Sequence, residues 1–216
     1  MKSELLRSAP MSRDRAGSAL EELWAGEFGD AYVERNRGAE YGREAFWRER
    51  IAQTEPDSVL EVGCNVGGNL RPLADLLGPE ALAGIDVNEN AVQAAAMLLP
   101  GADLRSGSAY EIPFGDASFD LVFTTGVLIH LPADGVAKAI DEIVRCSRRW
   151  VLCGEYFAER EEEVPYRGQK EALFRRDYGG IYQRRHPELK LVERGFLGAS
   201  EDSSWDDVTW WLFERG

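Results

Sequence analysis

Cysteine is scarce in this chain: Cys64, Cys146 and Cys153 are the only three. Their number is odd and their spacing matches no zinc or disulfide pattern, so neither a metal site nor a disulfide framework is expected. A reducing, cytoplasmic setting is the simple reading. Histidine is scarcer still, at His130 and His186. No stretch approaches the ~18 consecutive apolar residues of a membrane span. Met1 to Arg7 has no long apolar core, so it is not read as a signal peptide. Residues 1 to about 15 read instead as a polar lead-in. Positive charge is also short. The 25 basic residues face 38 acidic ones, for a net charge of −13. Such a field repels nucleic acid and anionic membranes. The expected partner is therefore a small molecule, with neither nucleic acid nor membrane.

What is present suits one domain with a sizeable core: 216 residues, 44% hydrophobic and 29% charged. Three zones differ in character. From about Ser18 to Thr54 the chain is rich in aromatic and charged residues and reads as helix broken at Gly26, Gly29 and Gly38. From Asp57 to about Glu155, apolar runs alternate with helical patterns. Ser58–Val62, Leu82–Asp86, Ala102–Arg105, Phe119–Thr124 and Trp150–Cys153 read as five strands. Helices are expected over Asn69–Leu77, Asn90–Leu99 and Asp134–Ser147. Near-continuous apolar strands between helices imply a parallel sheet covered on both faces. Leu189–Leu197 and Val208–Glu214 read as two further strands, the last antiparallel. The division expected is a lead-in and helical lid over 1–54 and a core over 55–216, with a lid insertion at about 156–185.

Four segments carry the chemistry. The first is Glu61-Val62-Gly63-Cys64-Asn65-Val66-Gly67. A tight strand-to-helix turn needs the freedom of glycine, which Gly63 and Gly67 supply, and Asn65 tolerates left-handed dihedrals. The helix start beyond, near Asn69, offers free backbone N–H groups. Alone, this loop is a weak signal, with a structural turn as the alternative reading. The second is Asp86-Val87, at the end of the second strand, where a carboxylate can accept both hydroxyls of a ribose. A nicotinamide fingerprint shares that acid but spaces its glycines G-x-G-x-x-G. It also lacks an acid at the position of Glu61. The third is Ser106 to Phe114, in which Ser108 is a hydrogen-bonding residue beside Ala109, or merely a turn residue. The fourth is Thr124-Thr125-Gly126-Val127-Leu128-Ile129-His130. Gly126 lets backbone approach a ligand, and His130 is a candidate general base or a residue that only seats the next helix.

In order and spacing, these segments resemble those of class I S-adenosylmethionine-dependent methyltransferases. The resemblance implies a seven-stranded Rossmann-like sheet of order 3-2-1-4-5-7-6. It also implies S-adenosyl-L-methionine as cofactor, held by Glu61, Gly63, Cys64, Asn65, Gly67, Asn69, Asp86, Val87, Ser108, Ala109, Thr125 and Gly126. Many family members carry aspartate where this chain has Ser108, which puts that one contact in doubt. The flanks, from Trp24–Asn36 to Glu155-Tyr156, Pro165–Gly168, Leu173–Asp177 and Asp206–Trp210, look like the methyltransferases associated with pseudaminic acid biosynthesis. That likeness implies a small polar substrate and no metal.

The flanks are where an acceptor site should form. Tyr32, Arg35 and Asn36 on one side, and Glu155, Tyr156, Tyr166, Arg167 and Arg176 on the other, are the candidates. Arginine suits a carboxylate or phosphate because its fork binds two oxygens. Arg35 and Arg167 stand out because each sits among aromatics. Arg148-Arg149 and Arg184-Arg185 read as solvated faces, and Trp205, Trp210 and Trp211 as packing. The reading is methyl transfer to O or N of a small metabolite. The alternatives are a protein or RNA methyltransferase, a nicotinamide-dependent oxidoreductase, and a non-catalytic binding protein on the same fold.

Overall fold

A computed structural model describes residues 13–37, 42–199 and 205–216. The lead-in up to residue 12 and the break expected at Gly38 lie outside the described residues. Three helices open the chain: α1 (Arg13–Ala25), α2 (Glu27–Asn36) and α3 (Glu44–Thr54). The core follows as β1 (Val59–Val62), α4 (Leu70–Leu77), β2 (Leu82–Asp86), α5 (Glu89–Leu98) and β3 (Asp103–Ser106). Next come β4 (Phe119–Thr125), α6 (Ala133–Cys146) and β5 (Ser147–Glu155). A small hairpin, β6 (Glu162–Glu163) and β7 (Phe174–Arg175), leads to α7 (Tyr178–Arg185), β8 (Leu189–Leu197) and β9 (Val208–Arg215).

The seven-stranded sheet has the order β3-β2-β1-β4-β5-β9-β8, which is the expected 3-2-1-4-5-7-6 once the separate hairpin is set aside. β9 pairs antiparallel with both neighbours, and the other pairings are parallel. Helices cover both faces. Along the strands, side chains alternate between two cores, as the period of 2 requires. Leu60, Val62, Val122, Val151 and Phe213 join Ile140 and Ile143 of α6 and Tyr182 of α7. Val59, Leu121, Phe123, Leu152 and Leu212 join Trp47 of α3 and Leu70 and Leu73 of α4. A third patch joins α2 to α5 through Val33, Ala91 and Ala94.

The helix ends follow local chemistry. Gly78 ends α4 at a φ of 86°. Asn88 caps α5 by accepting from the Ala91 N–H at 2.9 Å, and Asp177 caps α7 through Gly180 at 2.9 Å. Gly26 separates α1 from α2, but Gly29 is no break. It lies buried inside α2, where a Cβ would meet the Trp24 carbonyl oxygen at 1.7 Å. The lid also differs from the expected 1–54. Trp47 of α3 is fully buried, 4.5 Å from the Phe123 ring, so α3 belongs to the core and only α1 and α2 overhang the sheet. On the other side, α7 is core as well, because Tyr178 and Tyr182 are fully buried.

Candidate functional site

A cavity of about 630 Å³ opens at the carboxyl ends of β1, β2 and β4. Ligands bind in that crevice in doubly wound sheets. Its floor is the loop after β1. Gly63 has φ +79° and a Cβ there would lie 2.3 Å from Val127 Cγ2, so only glycine fits. Asn65 also takes a left-handed conformation, at φ +45°. Gly63, Cys64, Asn65 and Asn69 reach the cavity wall. Gly67 does not: its N–H bonds the Cys64 carbonyl at 2.9 Å, and it shapes the turn beneath.

Asp86 ends β2 at the same edge. One oxygen accepts from the Asn65 N–H at 2.8 Å and the other from the Asn88 N–H at 2.9 Å. These bonds orient the carboxylate and leave each oxygen a further lone pair. Burial raises its pKa, while the backbone N–H groups of Asn88, Asn65 and Val87 oppose the rise.

Glu61 is the second acid and, unlike the half-buried Asp86, is fully buried. Its Oε1 accepts from Asn69 Nδ2 at 2.6 Å, whereas Oε2 has no hydrogen-bond partner. Burial pushes its pKa up to about 8, against the bond from Asn69 and the field of Arg43. Asn69 is the hub of this end. Its amide nitrogen also donates to Thr125 Oγ1 at 2.7 Å, and its Oδ1 accepts from Arg43 at 2.8 Å and from Trp47 at 3.3 Å. The core helix α3 thus sets the orientation of the cavity amide.

Val87, Ala109, Thr125 and Gly126 also lie on the wall. Ser108 does not. Its hydroxyl donates to Glu21 of α1 and accepts from the Tyr110 N–H, so it ties α1 to the core and lies off the cavity wall.

The wall also takes in Tyr32, Arg35 and Asn36 of α2, and Tyr156, Tyr166 and Arg167. His130 joins them, its ring 5.2 Å from that of Tyr166. Its Nδ1 sits 2.6 Å from the Ala172 carbonyl oxygen, which assigns the ring proton to Nδ1 and leaves Nε2 as the basic nitrogen. Burial pushes its pKa down to about 4, so the ring is neutral at pH 7.

Two expected acceptor contacts are corrected. Glu155 is fully buried beneath the loop after β4 and accepts from the Val127 and Ile129 N–H groups, each at 3.2 Å. It holds the loop and lies off the cavity wall. Burial raises its pKa to about 7. Arg176 is 4% exposed. It bonds Glu161 at 2.7 Å and the Leu131 carbonyl at 2.9 Å, and so ties the hairpin to the core.

Other wall residues were not singled out from the sequence: Trp24, Glu21, Arg43 and Asn88. Trp24 and Glu21 are brought in by α1, Arg43 by the start of α3 and Asn88 by the cap of α5. Trp205 packs as expected but also faces the cavity, with the Arg43 guanidinium 4.2 Å from its ring. Among the described residues, no group of three or more His, Cys, Asp or Glu is placed to hold a metal, and no helix is long and apolar enough to cross a membrane.

Residues 60–150 match the family model described as a methyltransferase domain. A probable tocopherol O-methyltransferase of Oryza sativa subsp. japonica is 36% identical over 87 residues, 38% of this chain and 24% of that protein. The 24-methylenesterol C-methyltransferase 2 of the same species is 32% identical over 134 residues, 54% of this chain and 36% of that protein. The chain therefore spans well under half the length of these relatives. Among solved structures, the Burkholderia thailandensis 1,6-didemethyltoxoflavin-N1-methyltransferase, with 1,6-didemethyltoxoflavin and S-adenosylhomocysteine bound, superposes with a TM-score of 0.70. That match covers 97% of this chain and 93% of the other at 13% identity, so it shows the fold. The chain is thus similar to a methyltransferase domain over residues 60–150 and has the class I methyltransferase fold.

Proposed function

We propose that the chain transfers a methyl group from S-adenosylmethionine to an oxygen or nitrogen of a small polar metabolite. One observation carries this reading: two acidic side chains, the buried Glu61 and the half-buried Asp86, line a cavity that also gathers the rings of Trp24, Tyr32 and Tyr166 and the guanidinium groups of Arg35 and Arg167. Glu61 retains an oxygen with no protein partner, a fit for the amino group of the cofactor's methionine part. Asp86 retains acceptor capacity for ribose hydroxyls. Gly63 and Asn65 bring the backbone within reach, and Val87 and Ala109 suit the base. When bound, the cofactor supplies a sulfonium methyl already activated for displacement, so the protein mainly aligns its two guests. His130 Nε2 would take a proton from a hydroxyl or amine, and a carboxylate acceptor would need no base.

Three things support a small acceptor. The cavity is about 630 Å³ and must take the cofactor as well as the acceptor. The charge of −13 disfavours nucleic acid. The flanks resemble the pseudaminic acid-associated methyltransferases. The glycine spacing and the position of Glu61 disfavour a nicotinamide enzyme. Calorimetry with S-adenosylhomocysteine and with NAD tests the cofactor, and only the first should bind. Labelled S-adenosylmethionine offered to fractionated extract tests the acceptor: label in the small-molecule fraction is expected, whereas label in protein or RNA overturns that part.

A further inference from the structure

We infer that the acceptor is a flat, unsaturated ring bearing an acidic group; the inference rests on the methyltransferase reading above. The first ground is the ring wall. The Trp24 ring centroid lies 4.4 Å from that of His130, 5.4 Å from Tyr32 and 6.4 Å from Tyr166. His130 and Tyr166 are 5.2 Å apart. All four line the cavity, and they come from α1, α2, the segment after β4 and the hairpin insertion. Aromatic faces gathered from four places suit offset or edge contact with another ring. Trp24 adds a buried indole N–H with no partner, a donor available to a ring substituent.

The second ground is charge. The protein carries 38 acidic side chains, yet neither Arg35 nor Arg167 has a carboxylate partner among the described residues. Each instead leans on an aromatic of the wall, Arg35 at 5.4 Å from the Tyr32 ring and Arg167 at 5.6 Å from Tyr166. Arg167 is held there by a tight turn. Tyr166 and Gln169 exchange two backbone hydrogen bonds, and Arg167 and Gly168 between them have φ of +50° and +82°. Two left-handed residues make a turn that favours Asn-Gly. Arginine at the first of them is strained, and such strain collects at ligand sites.

The third ground separates this acceptor from a polyhydroxylated one. Sugar hydroxyls need several uncommitted polar side chains. At this end Asp206 accepts from the Tyr156 hydroxyl at 2.6 Å, and the Asn36 amide donates to the Tyr32 carbonyl at 2.7 Å. Glu21 is latched to Ser108. Asp206, Asn36 and Glu21 are thus committed within the protein, and beyond the Trp24 N–H and His130 Nε2 the faces offered are rings and guanidinium forks.

The test uses the full chain saturated with S-adenosylhomocysteine. Calorimetry then measures para-hydroxybenzoate and a hydroxynaphthoate against hydroxycyclohexanecarboxylate and glucuronate. At least one aromatic acid should bind tenfold or more tighter than both saturated acids. Arg35→Ala and Arg167→Ala should each weaken it roughly tenfold, the scale of a lost charge-assisted hydrogen bond. Both arginines are exposed, so thermal stability and S-adenosylhomocysteine affinity should hold. Saturated acids binding equally well, indifference to both substitutions, or no binding of either aromatic acid would each overturn the inference. Failure to bind S-adenosylhomocysteine strikes the methyltransferase reading instead, before any acceptor is added.

Discussion

Glu61 and His130 are both buried and both hold the neutral form at pH 7, for opposite uses. Burial keeps Glu61 protonated up to about pH 8. A cofactor ammonium beside its unpartnered oxygen would restore the charged form, because a nearby opposite charge favours ionisation. Binding of S-adenosylhomocysteine at pH 7 should therefore expel close to one proton. The measurement is calorimetry in buffers of different ionisation enthalpy. Heat that does not vary with buffer sinks the idea, and Glu61→Gln should abolish the variation. His130, pushed down to about 4, is already unprotonated across the working range. Its removal therefore tests proton acceptance free of a charge change. His130→Ala should lower kcat by on the order of 10²-fold with cofactor affinity intact. An unchanged kcat would point to an acceptor that reacts without a base.

The loop after β1 is the element on which the site depends, and one glycine decides it. Gly63→Ala adds a Cβ 2.3 Å from Val127 Cγ2 at a φ of +79°. The expected cost is about 1–3 kcal/mol. Cofactor affinity should fall with it, because β1 and the segment after β4 must separate. Thermal melts and S-adenosylhomocysteine titration of the variant check both. This loop was legible in the sequence because glycine spacing and a following acid are local patterns. The strands β1, β2 and β4 were legible for a related reason, being short apolar runs between clear breaks, whereas the strand order follows from the family resemblance. Residues that act across the fold were not. Asn69 reads as a helix start, yet its amide is fixed by Arg43, just before α3, and by Trp47 of α3. Glu155 reads as a substrate contact at the mouth of β5. Period-2 alternation places it with Val151 and Cys153, on the face that α6 covers. A charged residue at the end of a buried strand serves the loop above it as readily as a ligand. Arg176 was misplaced for the same reason, since its partners Glu161 and Leu131 are brought in by the hairpin and by the loop before α6.

For the molecule as a whole, the buried ionisable groups set how stability varies with pH. Glu61 and Glu155 have folded pKa values of about 8 and about 7, above the 4.5 of the unfolded chain. The folded state binds these two protons more tightly. Their contribution is complete below pH 4.5 and is lost as pH rises through 7 and 8. His130 runs the other way. Its folded pKa of about 4 lies below 6.5, so its effect is felt only as pH falls from 6.5 toward 4. Above pH 6.5 the two glutamates act alone among these three. Between pH 6.5 and pH 8 they should cost the cofactor-free protein about 2 kcal/mol, by 1.36 kcal/mol per pKa unit of differential protonation. For a chain of this size that is a fall in Tm of roughly 5–8 °C. S-adenosylhomocysteine should flatten the slope, because an ammonium beside Glu61 removes the larger contribution and leaves that of Glu155. Melts at half-unit pH steps, with and without saturating ligand, read both slopes. A cofactor-free Tm that rises from pH 6.5 to 8 would mean that neither carboxylate keeps its proton in the fold. Equal slopes with and without ligand would place the bound ammonium away from Glu61.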